Sequence, residues 1–272
     1  MPTNINICAI AHITHTATLH TARMYKTSYI FIIGLLSIWI TPAYSASQPV
    51  ESPQANNIHI SVMSSSKQKK QRFFALMKPI IMAENSNIRQ QRQRILAMQN
   101  NKSLNPDHIA TLQQLAKQYR IPYQTPPNEQ FWQALLSRVD IIPVELALVQ
   151  AANESGWGTS RFAREGNNYF GQWCYRQDCG IVPRQRSTGA THEVRRFKHA
   201  AESVRAYMHN INTSSAYTQL RAMRRDLRER NIPRHAEVLA NGLKLYSERG
   251  MAYVKTLQSM IRSNRELIAQ VN

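Results

Sequence analysis

The segment Pro143-Val144-Glu145-Leu146-Ala147-Leu148-Val149-Gln150-Ala151-Ala152-Asn153-Glu154-Ser155-Gly156-Trp157-Gly158 constrains the fold more than any other stretch. Pro143 opens a helix that is nearly all apolar from Leu146 to Ala152, so the helix is buried on most sides. Its two carboxylates then differ. Glu145 in the first turn suits the helix dipole, whereas Glu154 in the last turn, before Gly156, opposes it. The dipole and desolvation both push the pKa of Glu154 upward. A carboxyl kept protonated near neutral pH is what general-acid cleavage of a glycosidic bond requires, and Gly-Trp-Gly beside it suits a cleft wall for a sugar face. The bland alternative is a structural ion pair of Glu154 with Arg161 or Arg164.

Other helices surround this one. Asn105-Pro106 gives an N-cap and a first-turn Pro for a helix whose face is Ile109, Leu112, Leu115, Ala116 and Tyr119. Phe131, Trp132, Leu135, Leu136 and Val139 mark a further helix after Thr125-Pro126-Pro127-Asn128. From Lys67, Phe73 to Ile81 and Ile95 to Met98 flank a Gln/Arg-rich stretch, predicting two amphipathic helices. Between Ile181 and Phe197 the pattern changes, and a hairpin is expected from 182–186 and 192–197 around Ser187-Thr188-Gly189. Helices are expected at 202–212, 217–230, 233–247 and 251–271.

The N-terminal region predicts export. Twelve residues from Tyr29 to Ile40, nearly all apolar, follow Arg23 and Lys26 and precede Ala43-Tyr44-Ser45, too short a run to span a bilayer and suited to a signal peptide cut after Ser45. Met24 makes a better start for that signal than Met1. The domain reading is therefore 1–45 signal region, 46–66 flexible linker, 67–127 accessory helices and 128–272 main domain, within a chain of 272 residues that can bury one sizeable core. The net charge of +18 falls by two on loss of 1–45, so an anionic partner is expected, be it nucleic acid, membrane surface or acidic polymer. Cys174 and Cys179 become the sole cysteine pair of an exported chain, and a small-loop disulfide is the default.

The run Ala151-Ala152-Asn153-Glu154-Ser155-Gly156-Trp157-Gly158-Thr159-Ser160-Arg161-Phe162-Ala163, with Glu165-Gly166-Asn167-Asn168-Tyr169-Phe170-Gly171, resembles the signature of the bacterial endo-β-N-acetylglucosaminidases of glycoside hydrolase family seventy-three. Gln172-Trp173-Cys174-Tyr175, Cys179-Gly180, Val182-Pro183, Arg186 and His192-Glu193-Val194 are similar to its Bax branch. The resemblance covers about 128–272, more weakly from about Lys67. It implies an α+β, mostly helical, lysozyme-like fold with a small β-hairpin lobe and an N-terminal helical layer, acting on peptidoglycan and cutting after N-acetylglucosamine. It also implies Glu154 as the catalytic acid, Glu193 as the second carboxylate, and a hydroxyl from Tyr246 or Tyr253. Asn153 stands where many members carry Leu, and its polarity bears on the hydrogen bonding of Glu154.

Trp157, Tyr169, Phe170 and Trp173 are candidates for stacking on sugar, with about half expected to be packing residues, and Asn167 and Asn168 for supporting the cleft. The run Arg221, Arg224, Arg225, Arg228 and Arg230 is expected to be a solvated face, with docking to an acidic wall polymer as the sharper reading. A rival reading takes Cys174, Cys179, His192 and His199 as a zinc finger for nucleic acid. The gap of six between the histidines and the breakers Gly180, Pro183 and Gly189 argue against it. The expectation is thus an exported, periplasmic peptidoglycan hydrolase with no cofactor, no metal, no nucleic-acid partner and no membrane span after processing. The competing function is a non-catalytic wall-binding or scaffolding protein that keeps the fold.

Overall fold

The computed structural model describes residues 66–271 apart from Lys102, Gln185, Ser187, Thr188 and Arg234. The expected signal region and linker lie outside the described residues, except Ser66, which begins the first helix. The elements are α1 (Ser66–Gln99), α2 (Pro106–Gln118), α3 (Glu129–Arg138), α4 (Val144–Ser155), α5 (Arg161–Gly166), β1 (Trp173–Cys174), β2 (Gly180–Ile181), β3 (Glu193–Arg195), α6 (Ala200–Thr213), α7 (Thr218–Glu229), α8 (Ala236–Ala240) and α9 (Met251–Gln270). This is the mostly helical α+β architecture that the sequence predicts.

The apolar α4 sits at the centre, with every residue from Leu146 to Ala152 buried, against α1, α8 and α9. Its neighbours are fixed by local signals. Asn105 accepts from the amide of His108 to cap α2, with Pro106 at the first position. Asn128 caps α3 in the same way through the amide of Phe131. The helices of 66–127 and those of 128–271 share one buried core that runs from Phe73 to Ile268.

Four expectations need correction. The two N-terminal helices are one, because the buried stripe Phe73, Met77, Ile81, Asn85, Ile88, Ile95 and Met98 keeps helical phase through the Gln/Arg-rich stretch. Pro79 faces solvent within it, and Asn85 ties the helix to the α4 entrance by donating to the Ile142 carbonyl and accepting from its amide. The hairpin is a three-stranded antiparallel sheet in the order β1-β3-β2. β3 falls within the expected 192–197, but its partners are 180–181 and the unforeseen 173–174, not 182–186. The helix expected over 233–247 is only α8 and a following 3-10 turn, Asn241–Leu243. There Gly242 packs so closely on α7 that a Cβ would lie 2.4 Å from the Leu220 Cα.

The fourth correction is the arginine run. Arg225 and Arg230 are solvated and pair with Glu229 and Asp226, but Arg221 and Arg224 are buried. Arg224 donates to the carbonyls of Ser137 in the last turn of α3 and of Asp140 and Ile141 just past it, and Arg221 to those of Ile211 and Ser214 at the end of α6. Helix ends leave carbonyls without partners, and these guanidiniums satisfy them. Asp140, 3% exposed, supplies the counter-charge to Arg92, Arg224 and Arg228.

Candidate active site

Glu154 ends the buried helix, and its surroundings follow from how α4 stops. Gly156 takes a left-handed conformation at φ 59°, as a helix C-cap requires, and Trp157 follows with φ 62°. Ser155 locks the turn by donating to the Ala151 carbonyl and accepting from the Gly158 amide. Trp157 is thereby carried onto α1, where Phe73 and Phe74 meet its ring edge-on at 5.8 and 5.4 Å. Lys70 lies over its face at 5.1 Å.

Glu154 Oε1 accepts from the Tyr253 hydroxyl at 2.9 Å and from Asn153 Nδ2 at 3.1 Å. Burial pushes the carboxyl up to about 7, against the lowering effect of these two bonds and of the nearby charge of Arg249. The expected alternative of an ion pair with Arg161 or Arg164 is absent. Arg161 instead donates to the Val182 carbonyl, and among the described residues no cation lies within 4.0 Å of Glu154.

Of the two tyrosine candidates, Tyr253 reaches the carboxylate. Tyr246 lies parallel to it at 5.5 Å and donates to the Phe170 carbonyl. Behind Tyr253 stands a chain that sequence reasoning missed: Gln150 Nε2 donates to the Tyr253 oxygen at 3.1 Å, and its Oε1 accepts from the Tyr207 hydroxyl at 2.5 Å. Gln150 had a signal, being the one polar residue of the Leu146–Ala152 run and one turn before Glu154. Tyr207 had none. Burial and the Glu154 charge raise both tyrosines well above 10, so they remain neutral donors.

The other candidates divide. Trp157 and Trp173 are partly exposed, and Trp173 stacks on His192 at 3.9 Å. Phe170, at 1% exposure, stacks on Tyr207, and Tyr169 packs near Phe73. Neither ring presents a face for sugar, which corrects the expectation for both. Asn168, buried, spends its amide on the Gln172 and Arg195 carbonyls and its Oδ1 on the Phe170 and Gln172 amides. Asn167 ties the end of α5 to the Phe197 and Lys198 carbonyls. The asparagines therefore brace the β-lobe against α6 and do not line a cleft.

Glu193 is buried in that lobe, with one oxygen accepting from the Asp178 amide at 3.1 Å and the other from the Gly180 amide at 2.7 Å. It stands opposite Cys174 in the β1–β3 register, beside the Cys174–Cys179 disulfide. The sulfurs and a Glu193 oxygen lie within 4.8 Å of one another, but the bonded sulfurs offer no thiolate to a metal, and His192 is stacked on Trp173.

Comparison with known proteins identifies the family. The family described as mannosyl-glycoprotein endo-beta-N-acetylglucosaminidase matches residues 129–266, so α1 and α2 precede the matched segment. Protein bax of Escherichia coli (strain K12) is 35% identical over 201 residues, 74% of this chain and 72% of that protein. No solved structure matches. With more than half of its length in the family pattern, the chain belongs to the glucosaminidase family of glycoside hydrolases, in its Bax-like branch.

Proposed function

We propose that the protein is an exported peptidoglycan hydrolase that cuts the glycan strand after N-acetylglucosamine, with Glu154 as general acid. The observation that carries this reading is a carboxyl raised to about 7 at the end of a buried helix, with hydrogen-bond donors already aimed at it. Near neutral pH such a group is partly protonated and can donate to the leaving glycosidic oxygen as the C–O bond breaks. The carboxylate left behind is received by Tyr253 and Asn153 without rearrangement, and Arg249 favours its charge. Trp157 and Trp173 are assigned to the sugar, and Glu193, with both oxygens on backbone amides, to the shape of the β-lobe.

Export is supported by the Cys174–Cys179 disulfide, since such bonds persist in oxidising compartments. Among the described residues no helix is long and apolar enough to cross a membrane. In the same reading residues 1–45 are the signal region, and the periplasm is the destination. The test is digestion of peptidoglycan sacculi by the purified protein and by Glu154→Gln, with reducing ends identified by mass spectrometry after borohydride reduction. New N-acetylglucosamine ends from the parent alone are expected. Equal release by both removes Glu154 from the mechanism, and sacculus binding without products from the parent favours a wall-binding protein.

A further inference from the structure

Away from Glu154, a cleft of about 650 Å3 opens between α1, α2, β3 and α6. Its size is that of a small-ligand site. Ile88 and Phe197, both buried, give it an apolar base. Around them the charges balance: Glu84 and Glu202 carry two negative charges, Arg195 and Arg205 two positive ones. A polyanion gains nothing from such a lining.

Nearby, Tyr119 and His209 meet at 5.8 Å and form an uncharged wall, with the Tyr119 hydroxyl already given to Gln91.

We propose that this cleft binds the amino-acid end of a peptide, its carboxylate toward Arg195 and Arg205 and its ammonium toward Glu84 and Glu202. Arg195 is poised for this, since its guanidinium rests over the Phe197 ring at 4.8 Å. Arg205 and Glu84 pair at 3.3 Å across the rim, a partly exposed bridge that a zwitterion can exchange for its own charges at little cost. Arg195 also follows Val194, which is registered opposite Trp173, so the cleft flanks the β-lobe assigned to sugar. Peptides that substitute peptidoglycan strands end in free amino-acid heads, and the inference rests on the proposed substrate in this respect. The cleft would hold the peptide while the Glu154 site works on the glycan.

The experiment is calorimetric titration of the purified full chain, and of Glu154→Gln, with the free tripeptide L-alanyl-γ-D-glutamyl-diaminopimelate. Saturable binding to both is expected, weakened at least about tenfold in Arg195→Ala and in Glu202→Gln, whose rim positions spare the core. Cleavage of peptide-free glycan is expected to be unchanged in the two rim variants. No binding to the parent, equal affinity in the rim variants, or displacement of the peptide by a chitooligosaccharide overturns the proposal. Peptide binding by a parent that cleaves no glycan leaves this site standing and removes the hydrolase reading.

Discussion

The Tyr253 hydroxyl, on the last helix, donates to Oε1 of Glu154 at 2.9 Å, while Gln150 Nε2 donates to the same hydroxyl from the helix that carries Glu154. The tyrosine oxygen is thus held from one side and offers its proton to the other. The bond favours the charged carboxylate and so holds down a pKa that burial nonetheless keeps at about 7. In Tyr253→Phe that restraint is lost, the Glu154 pKa rises, and the basic limb of the activity profile moves to higher pH. Turnover at the optimum is expected to fall roughly tenfold, since the carboxylate product loses a charge-assisted hydrogen bond. A pH-rate profile on soluble glycan measures both effects, and an unmoved limb would separate Tyr253 from the acid.

A raised carboxyl also leaves a mark on stability. Glu154 is protonated in the folded protein up to about pH 7, whereas the unfolded chain releases that proton near 4.5. Its contribution is therefore complete below 4.5 and is lost as pH rises through 7. Glu154→Gln removes this dependence. Its stability advantage over the parent is expected to widen by on the order of 2 kcal/mol from pH 5 to pH 8. Urea unfolding at the two pH values reads it; a constant difference would mean that the carboxyl is not raised.

How far the sequence reaches can be judged around this pair. Glu154 was legible because its position depends on one helix: an apolar run, a terminal carboxylate and a Gly stop are local facts. The caps Asn105 and Asn128 were visible for the same reason, though only Asn105-Pro106 was read as one. Tyr253 was narrowed to one of two tyrosines because nothing local tells whether the stretch before the last helix, with Tyr246, or the first turn of that helix, with Tyr253, meets the end of α4. The unbroken α1 was hidden by the polar residues 89–94, of which Arg92 turns inward to the Leu136 and Val139 carbonyls and Gln91 takes the Tyr119 hydroxyl, and by Pro79, a residue type that usually kinks or ends a helix. The burial of Arg221 and Arg224 depends on carbonyls contributed by α3 and α6, so a charged run read as solvent-facing.

The first turns of α1 lie before the segment that matches the glucosaminidase family, yet they hold Trp157 in place. Phe74→Ala removes one of the two rings that meet the indole edge-on and opens a cavity in the core. A loss of about 3–5 kcal/mol is expected. Trp157, already in a left-handed conformation, loses its seat, and kcat/KM should fall by more than unfolding explains. Near-UV circular dichroism of the folded fraction tests this directly. An unchanged tryptophan signal with full activity would refute the coupling.

Glu193 is a second carboxylate with a different environment, its two oxygens on the amides of Asp178 and Gly180. Glu193→Gln keeps the shape and one acceptor, but its NH2 group cannot accept, so one amide bond is lost and the other weakened, at a cost of about 2–3 kcal/mol. Activity should then fall with loosening of the lobe and recover at lower temperature. An activity loss that cooling does not relieve, in a variant as stable as the parent, would instead make Glu193 a participant in the reaction.

Asp140 is the reverse of Glu154: burial alone would raise it, yet Arg224, Arg92 and Arg228 hold its carboxyl below the usual range. Arg224 and Arg92 also carry the carbonyls at the end of α3, so the aspartate keeps three guanidiniums compatible with a buried site. Asp140→Asn leaves the cations without their counter-charge, and breaking such a cluster from one side typically costs about 3–5 kcal/mol. For the parent, a depressed carboxylate contributes stability above the unfolded pKa near 3.8 that is lost as pH falls through the lower folded value. The variant should accordingly be much less stable than the parent at pH 7, with the gap narrowing only well below pH 4. Denaturation midpoints across that range decide the matter, because a gap that stays constant down to pH 2 would assign the loss to packing and not to charge.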